Sequence, residues 1–166
     1  MPPMTLARLA DVIAQRKHPP LIASAAAAFA LWIAAAVNVG AEPLITEFMV
    51  SNTTTLVDQD QAFSDWIEIH NPDTTPVTLT GWYLTDTAAN KTRWQFPAVT
   101  LPAGGYLVVF ASNKNRRDAG AELHTNFALA AEGEYLALVK PDGTSVVSPY
   151  APAYPAQSND IAYGLL

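Results

Sequence analysis

The 166-residue chain contains no cysteine. That absence excludes disulfide staples, thiol nucleophiles and thiolate metal sites, so a fold must be held by its apolar core. Positive charge is scarce as well. After Ala41, six basic residues face fourteen acidic ones, a net charge of −8. An acidic surface without a basic stripe repels phosphate backbones, and nucleic acid is not an expected partner. The chain also lacks the Gly-x-Ser-x-Gly elbow of a hydrolase nucleophile. Beyond its first forty residues it shows no 3.6-residue apolar periodicity of useful length, which argues against helices there. Internal repeats and low-complexity linkers are absent too.

One long apolar run is present. From Leu21 to Val37 only Ser24 is polar, with Arg8, Arg16, Lys17 and His18 upstream and Val39, Gly40 and Ala41 downstream. A basic n-region, an apolar h-region and a small-residue end form the pattern of a secretory signal peptide, with the cut expected after Ala41. The competing reading is an uncleaved membrane anchor, because 17 residues lie at the short limit of what crosses a ~30 Å hydrocarbon core. Alanine dominates the run and is weakly hydrophobic, which favours cleavage. Residues 1–41 are therefore read as a signal helix, alternatively an anchor, and 42–166 as one domain outside the cytoplasm. A domain of this length buries about two-thirds of its unfolded surface, enough for a core without staples.

The remainder alternates short apolar runs with turn signals, the pattern of an antiparallel β-sandwich. Strands are expected over Leu44–Val50, Asp65–His70, Arg93–Phe96, Tyr106–Ala111, Phe127–Leu129, Glu134–Val139 and Ile161–Tyr163. Between Val77 and Leu84 the parity changes: Val77 and Leu79 share one face, Trp82 and Leu84 the other, with Gly81 between them. A period-2 strand can change parity and still face one core only through an inserted residue, so a bulge is predicted at Thr80 and Gly81. The expected core is Ile67, Ile69, Leu79, Trp82, Leu84, Val108, Phe110, Leu136 and Leu138. Pro149 to Pro155 reads as an extended surface segment.

Several stretches, taken in order, resemble the bacterial branch of the lamin tail domain family. They are Ile45-Thr46-Glu47-Phe48-Met49 with Asn52, Asp65-Trp66-Ile67-Glu68-Ile69-His70-Asn71-Pro72, Gly81-Trp82-Tyr83-Leu84-Thr85-Asp86, Trp94-Gln95-Phe96-Pro97, Leu101-Pro102-Ala103-Gly104-Gly105-Tyr106-Leu107-Val108-Val109-Phe110, and Gly133-Glu134-Tyr135-Leu136-Ala137-Leu138. The resemblance implies an all-β, immunoglobulin-like antiparallel β-sandwich that is a non-catalytic structural or interaction module of an exported bacterial protein. The chain is also similar to the N-terminal part of secreted proteins that carry a CotH-kinase-like region further along, which implies a truncated or split relative.

Asp58, Asp60 and Asp65 supply hard oxygens at spacings that suit Ca²⁺. The loop lacks the glycine and distal Glu of an EF-hand, however, and a solvated turn with capping aspartates is the stronger reading. No other cofactor is expected. Glu47 and Glu68 could do acid and base work on a glycoside only if their carboxyls lay ~5 to 10 Å apart, a distance the sequence does not give, and a strand Glu bonded to backbone amides is commoner. His70 and His124 with Ser64 make a weak triad, and both histidines read as surface or strand-edge residues. Asn113 to Asp118, the one basic cluster, reads as a solvated loop. Trp66 opposes Ile67 and Ile69 in parity and is expected to be an exposed contact for a protein or a cell-surface glycan. A carbohydrate-binding module is accordingly the alternative function, and a membrane contact arises only if the signal stays uncleaved.

Overall fold

Short apolar runs broken by Gly, Pro, Asn and Asp leave each strand little room to extend. The computed structural model describes residues 40–165, and these form eleven strands and no helix. The expected signal segment, Leu21–Val37, lies outside the described residues. In chain order the strands are β1 (Leu44–Met49), β2 (Asp65–His70), β3 (Val77–Thr78), β4 (Tyr83–Thr85), β5 (Trp94–Gln95) and β6 (Thr100–Leu101). They continue with β7 (Tyr106–Ala111), β8 (Leu123–His124), β9 (Leu136–Val139), β10 (Val146–Tyr150) and β11 (Ala162–Gly164).

One sheet has the order β11-β1-β2-β7-β8 and a second the order β10-β9-β4-β5, while β3 and β6 pair by themselves. All pairings are antiparallel except β7 with β8. Ile45, Phe48, Ile67, Ile69, Val109 and Leu123 from the first sheet meet Leu84, Trp94, Leu136 and Leu138 from the second in one cluster, joined by Leu79, Trp82, Phe96 and Phe127. Burying a side chain of this size contributes ~1.5–3 kcal/mol.

Strand β1 reaches this core through an irregularity the alternation conceals. Ile45 pairs with Ile69 and Glu47 with Glu68, so Thr46 is the extra residue of a bulge. That insertion lets Ile45 and Phe48, three apart, face the same core. At the same point Ile45 turns to the other sheet: its N–H donates to Ser148 Oγ at 3.1 Å and its carbonyl accepts from the Tyr150 hydroxyl at 3.3 Å. Side chains of strand β10 thus pair both backbone polar groups of Ile45 beside the bulge.

Four expectations need correction. Val108 and Phe110 do not belong to the inter-sheet core. In the β2–β7 register Ile67 opposes Val109 and Ile69 opposes Leu107, so those residues face inward, while Trp66 opposes Phe110 on the outer face. The bulge at Thr80 and Gly81 is a tight turn instead. Trp82 N–H donates to the Leu79 carbonyl at 3.0 Å, Gly81 takes φ +79°, and the chain passes from the β3–β6 pair into the second sheet. Phe127 to Leu129 makes only an isolated antiparallel bridge, Ser112 with Ala128, and the local strand is Leu123–His124. The segment after Pro149 is not all surface, since Tyr150 ends β10 and Tyr154 is core with its ring 4.8 Å from that of Phe48. Pro149 is tolerated because β10 is an edge strand and leaves one side of its ladder unused.

Candidate functional site

Two loops cover part of the outer face of the first sheet, and a group of charges ties them together. In the loop between β1 and β2, Asp58 is buried. Its Oδ1 accepts from the backbone N–H groups of Asp60 (2.9 Å) and Ala62 (3.0 Å), and its Oδ2 from Ser64 Oγ at 2.8 Å. From the loop after β7, Lys114 donates to Asp58 and lies 2.7 Å from Asp60, while Arg116 lies 2.7 Å from Asp60. Burial by itself would raise the Asp58 carboxyl. The Lys114 ammonium, Ser64 hydroxyl and backbone amides outweigh it and hold the group below the usual carboxylate range.

The oxygens of Asp58 and Asp60 are therefore engaged by this chain's own cations. Asp65 stands apart: it accepts from the Asn52 N–H at 3.3 Å, and burial raises its carboxyl. Asp58 thus caps its own turn through the N–H groups of Asp60 and Ala62. No group of three His, Asp or Glu gathers for a metal ion among the described residues. The basic segment is likewise a loop clamp, and not merely solvated.

Beneath the clamp lies His124, which is fully buried. Its ring stacks on Phe110 with centroids 5.2 Å apart, Nδ1 meets Ser112 Oγ at 2.8 Å, and Nε2 has only Glu122 Oε2 at 4.0 Å. Burial first, and then the Lys114 charge, push the imidazole below its ordinary value. A serine, a histidine and a carboxylate in line evoke a nucleophilic triad, yet the ring has no exposed surface and lines neither groove described below. Ser64 bonds Asp58 and not a histidine, so the weak triad of Ser64, His70 and His124 does not assemble, and His124, read as a surface or strand-edge residue, is buried.

Among the described residues, part of this outer face is open around β1, β2 and β11. A shallow concavity of about 390 Å³ is lined by Thr46, Glu47, Glu68, Tyr106, Ala162, Gly164 and Leu165. The β1 bulge brings Thr46 onto this face, where its hydroxyl donates to Glu68 Oε1 at 2.6 Å. Glu47 lies directly across the ladder from Glu68, and like charges so placed are destabilising. Among the described residues neither has a cationic partner. Tyr106 is 60% exposed, and its ring lies flat on His70, 4.2 Å between centroids and 10° between planes. Trp66 also faces outward, as its parity requires, but it is only 9% exposed and packs with Met49 and Phe110. Its expected exposure is therefore corrected; Trp82 and Trp94 are buried too.

A second groove, also of about 390 Å³, runs beside the edge strand β5. Tyr83, Thr92, Arg93, Gln95, Asn115, Arg117 and Asn126 line it together with Trp94. Arg93 meets Asp86 at 2.5 Å and lies 5.3 Å over the Phe127 ring. Burial raises the Asp86 carboxyl, and the adjacent guanidinium works against that.

The lamin tail domain family model matches residues 37–151. The chain belongs to the lamin tail domain family. Its domains are immunoglobulin-like and not typically catalytic. No curated protein matches the chain.

In this lamin tail domain the residues that carried the resemblance have structural roles. Asn52 is buried and ties the β1–β2 loop together: its Nδ2 donates to the carbonyls of Leu56 (2.6 Å) and Ser64 (2.9 Å), and its Oδ1 accepts from Thr55. Asn71, also buried, donates through Nδ2 to Thr75 O at 2.9 Å and Pro102 O at 2.8 Å, and its Oδ1 accepts from Asp73 N–H. Both asparagines were legible as turn residues, but not as buried hubs. Segment 152–165, beyond the family match, supplies core residue Tyr154 and strand β11.

Proposed function

We propose that this lamin tail domain is a structural or interaction module of an exported bacterial protein, and that it meets its partner through the open face around Tyr106. The observation that carries this reading is the stacking of a 60% exposed ring on His70 at 4.2 Å. A large ring already held in one orientation loses little rotamer freedom on contact, and tyrosine offers both an apolar face and a hydroxyl. The surrounding Thr46, Glu47 and Glu68 supply acceptors without cations. The glycan alternative had depended on exposed tryptophans. With Trp66, Trp82 and Trp94 buried, it now depends on Tyr106.

The test places a photoreactive phenylalanine analogue at position 106 in the full chain, expressed in an exporting bacterium. Illumination should give a discrete adduct, absent when the analogue replaces Tyr163 at the edge of the same sheet. Mass analysis distinguishes a protein partner from a glycan. Equal, diffuse labelling at both positions would count against the face. Sequencing of the exported protein should begin at Glu42, and full-length chain in the membrane fraction would support the anchor.

A further inference from the structure

We propose that the groove beside β5 binds an extended acidic peptide, added as a strand at Gln95 with a side-chain carboxylate on Arg117.

The ladder shows which side of β5 is open. Phe96 N–H donates to Trp82 O at 2.8 Å, and Tyr83 lies opposite Gln95 and Leu84 opposite Trp94. In an antiparallel pair the residues alternate between bonding the neighbour and facing away from it. Phe96 bonds Trp82 just ahead of β4, so the N–H and carbonyl of Gln95 point away from β4, toward the edge along which the groove runs. The same rule turns the Arg93 carbonyl outward, and there Asn126 Nδ2 donates to it at 3.0 Å. A side chain across the groove has therefore taken one outward rung, which leaves Gln95 as the rung available to an added strand.

Charge decides what kind of strand. Four of the six cations after Ala41 meet carboxylates: Arg93 with Asp86, Lys114 with Asp58 and Asp60, Arg116 with Asp60, and Lys140 with Glu42. Lys91 donates to the Thr144 carbonyl at 3.0 Å. Arg117, exposed on the groove wall, has no carboxylate partner among the described residues; its Nη2 donates to Gln95 Oε1 at 3.3 Å. A domain with net charge −8 thus leaves a guanidinium unmatched beside a lining that holds no Asp or Glu. A planar fork of this kind takes a carboxylate through two parallel hydrogen bonds. Asn115, Asn126 and Thr92 supply further polar groups along the same walls. The site is separate from the face around Tyr106 and does not depend on it.

The test screens the full chain against a synthetic array of random-sequence heptapeptides, with an oligogalacturonate series as the anionic glycan control. Peptides enriched in Asp or Glu should bind, with affinity falling as salt rises. Arg117→Gln should weaken binding at least tenfold and remove the acidic preference while leaving the urea midpoint unchanged, because Arg117 is exposed. N-methylation at alternate backbone positions of the best binder should abolish binding for one set of positions and spare the other. Absence of acidic enrichment, binding indifferent to Arg117→Gln, tolerance of both methylation sets, or binding of oligogalacturonate alone would each overturn the proposal.

Discussion

Leu79 and Trp82 lie three residues apart, on faces that an unbroken strand would oppose, yet both are buried in one core because the chain turns between them. The Trp82 N–H closes that turn on the Leu79 carbonyl at 3.0 Å, and Gly81 occupies its left-handed position at φ +79°. A Cβ at Gly81 would meet only ordinary contacts, Pro141 Cβ at 3.7 Å and Gln95 Nε2 at 3.8 Å, so the requirement for glycine is conformational and not spatial.

Gly81→Val should therefore destabilise the domain by more than ~1 kcal/mol, even though valine is the better strand former. Gly81→Asn should cost less, since asparagine tolerates the left-handed region. Urea melts of both variants check the order, and a valine variant as stable as the parent would contradict it.

Neighbouring valines on β7 should respond differently. Val109 is fully buried between the sheets, whereas Val108 is partly buried against the outer cluster. Val109→Ala is expected to cost about 1.5–3 kcal/mol and Val108→Ala less than half of that. Equal losses in urea midpoint would mean that the register of β7 is shifted by one.

Removing Lys114 leaves the Asp58 carboxylate buried without its cation. Lys114→Met should cost about 1.5–3 kcal/mol at pH 7, because the carboxylate keeps its bonds to Ser64, Asp60 and Ala62 but loses its cation. In the parent, the Asp58 carboxyl is lower in the folded state than in the unfolded one. Its stabilisation is therefore complete above the unfolded value near ~3.9 and is lost as pH falls below it. In the variant burial favours the protonated acid, so the gap between parent and variant should narrow as pH is lowered from 7 to 3. Parallel curves across that range would dissociate Lys114 from Asp58.

His124 predicts a second pH dependence of the same sign. Burial and the Lys114 charge hold the folded imidazole below its unfolded value of 6.5, so the unfolded chain binds the proton more readily. Stability is then complete above ~6.5 and declines as pH falls toward the folded value. His124→Gln keeps a group able to reach Ser112 and removes the titration, so it should flatten the change in urea midpoint between pH 7 and 5. An unchanged slope would place the acid sensitivity elsewhere.

Much of the framework was legible in local pattern. Strands β2 and β7 occupy the expected Asp65–His70 and Tyr106–Ala111, because apolar runs ended by Asn-Pro and entered by Pro-Ala-Gly-Gly leave few alternatives. The inward face of β7 was not legible. Leu107, Val108, Val109 and Phe110 are all apolar, so no alternation marks a side, and only the register against Ile67 and Ile69 selects one. Strands β3, β5, β6 and β8 have two residues each, too few for any period to show.

The sequence by itself determined the all-β class, the family and a break in the strand at Gly81, because each rests on short stretches whose pattern is local in the chain. Only the tertiary structure decided the surfaces. Lys114 reaches Asp58 across 56 positions, and that pairing turned a candidate calcium loop and a basic segment into one clamp. Trp66 is covered because Met49 and Phe110 pack beside it on adjoining strands. Arg117 is left without a carboxylate because the side chain that meets it is Gln95. Burial and charge pairing depend on which distant segments meet, and a one-dimensional pattern carries no distance across space.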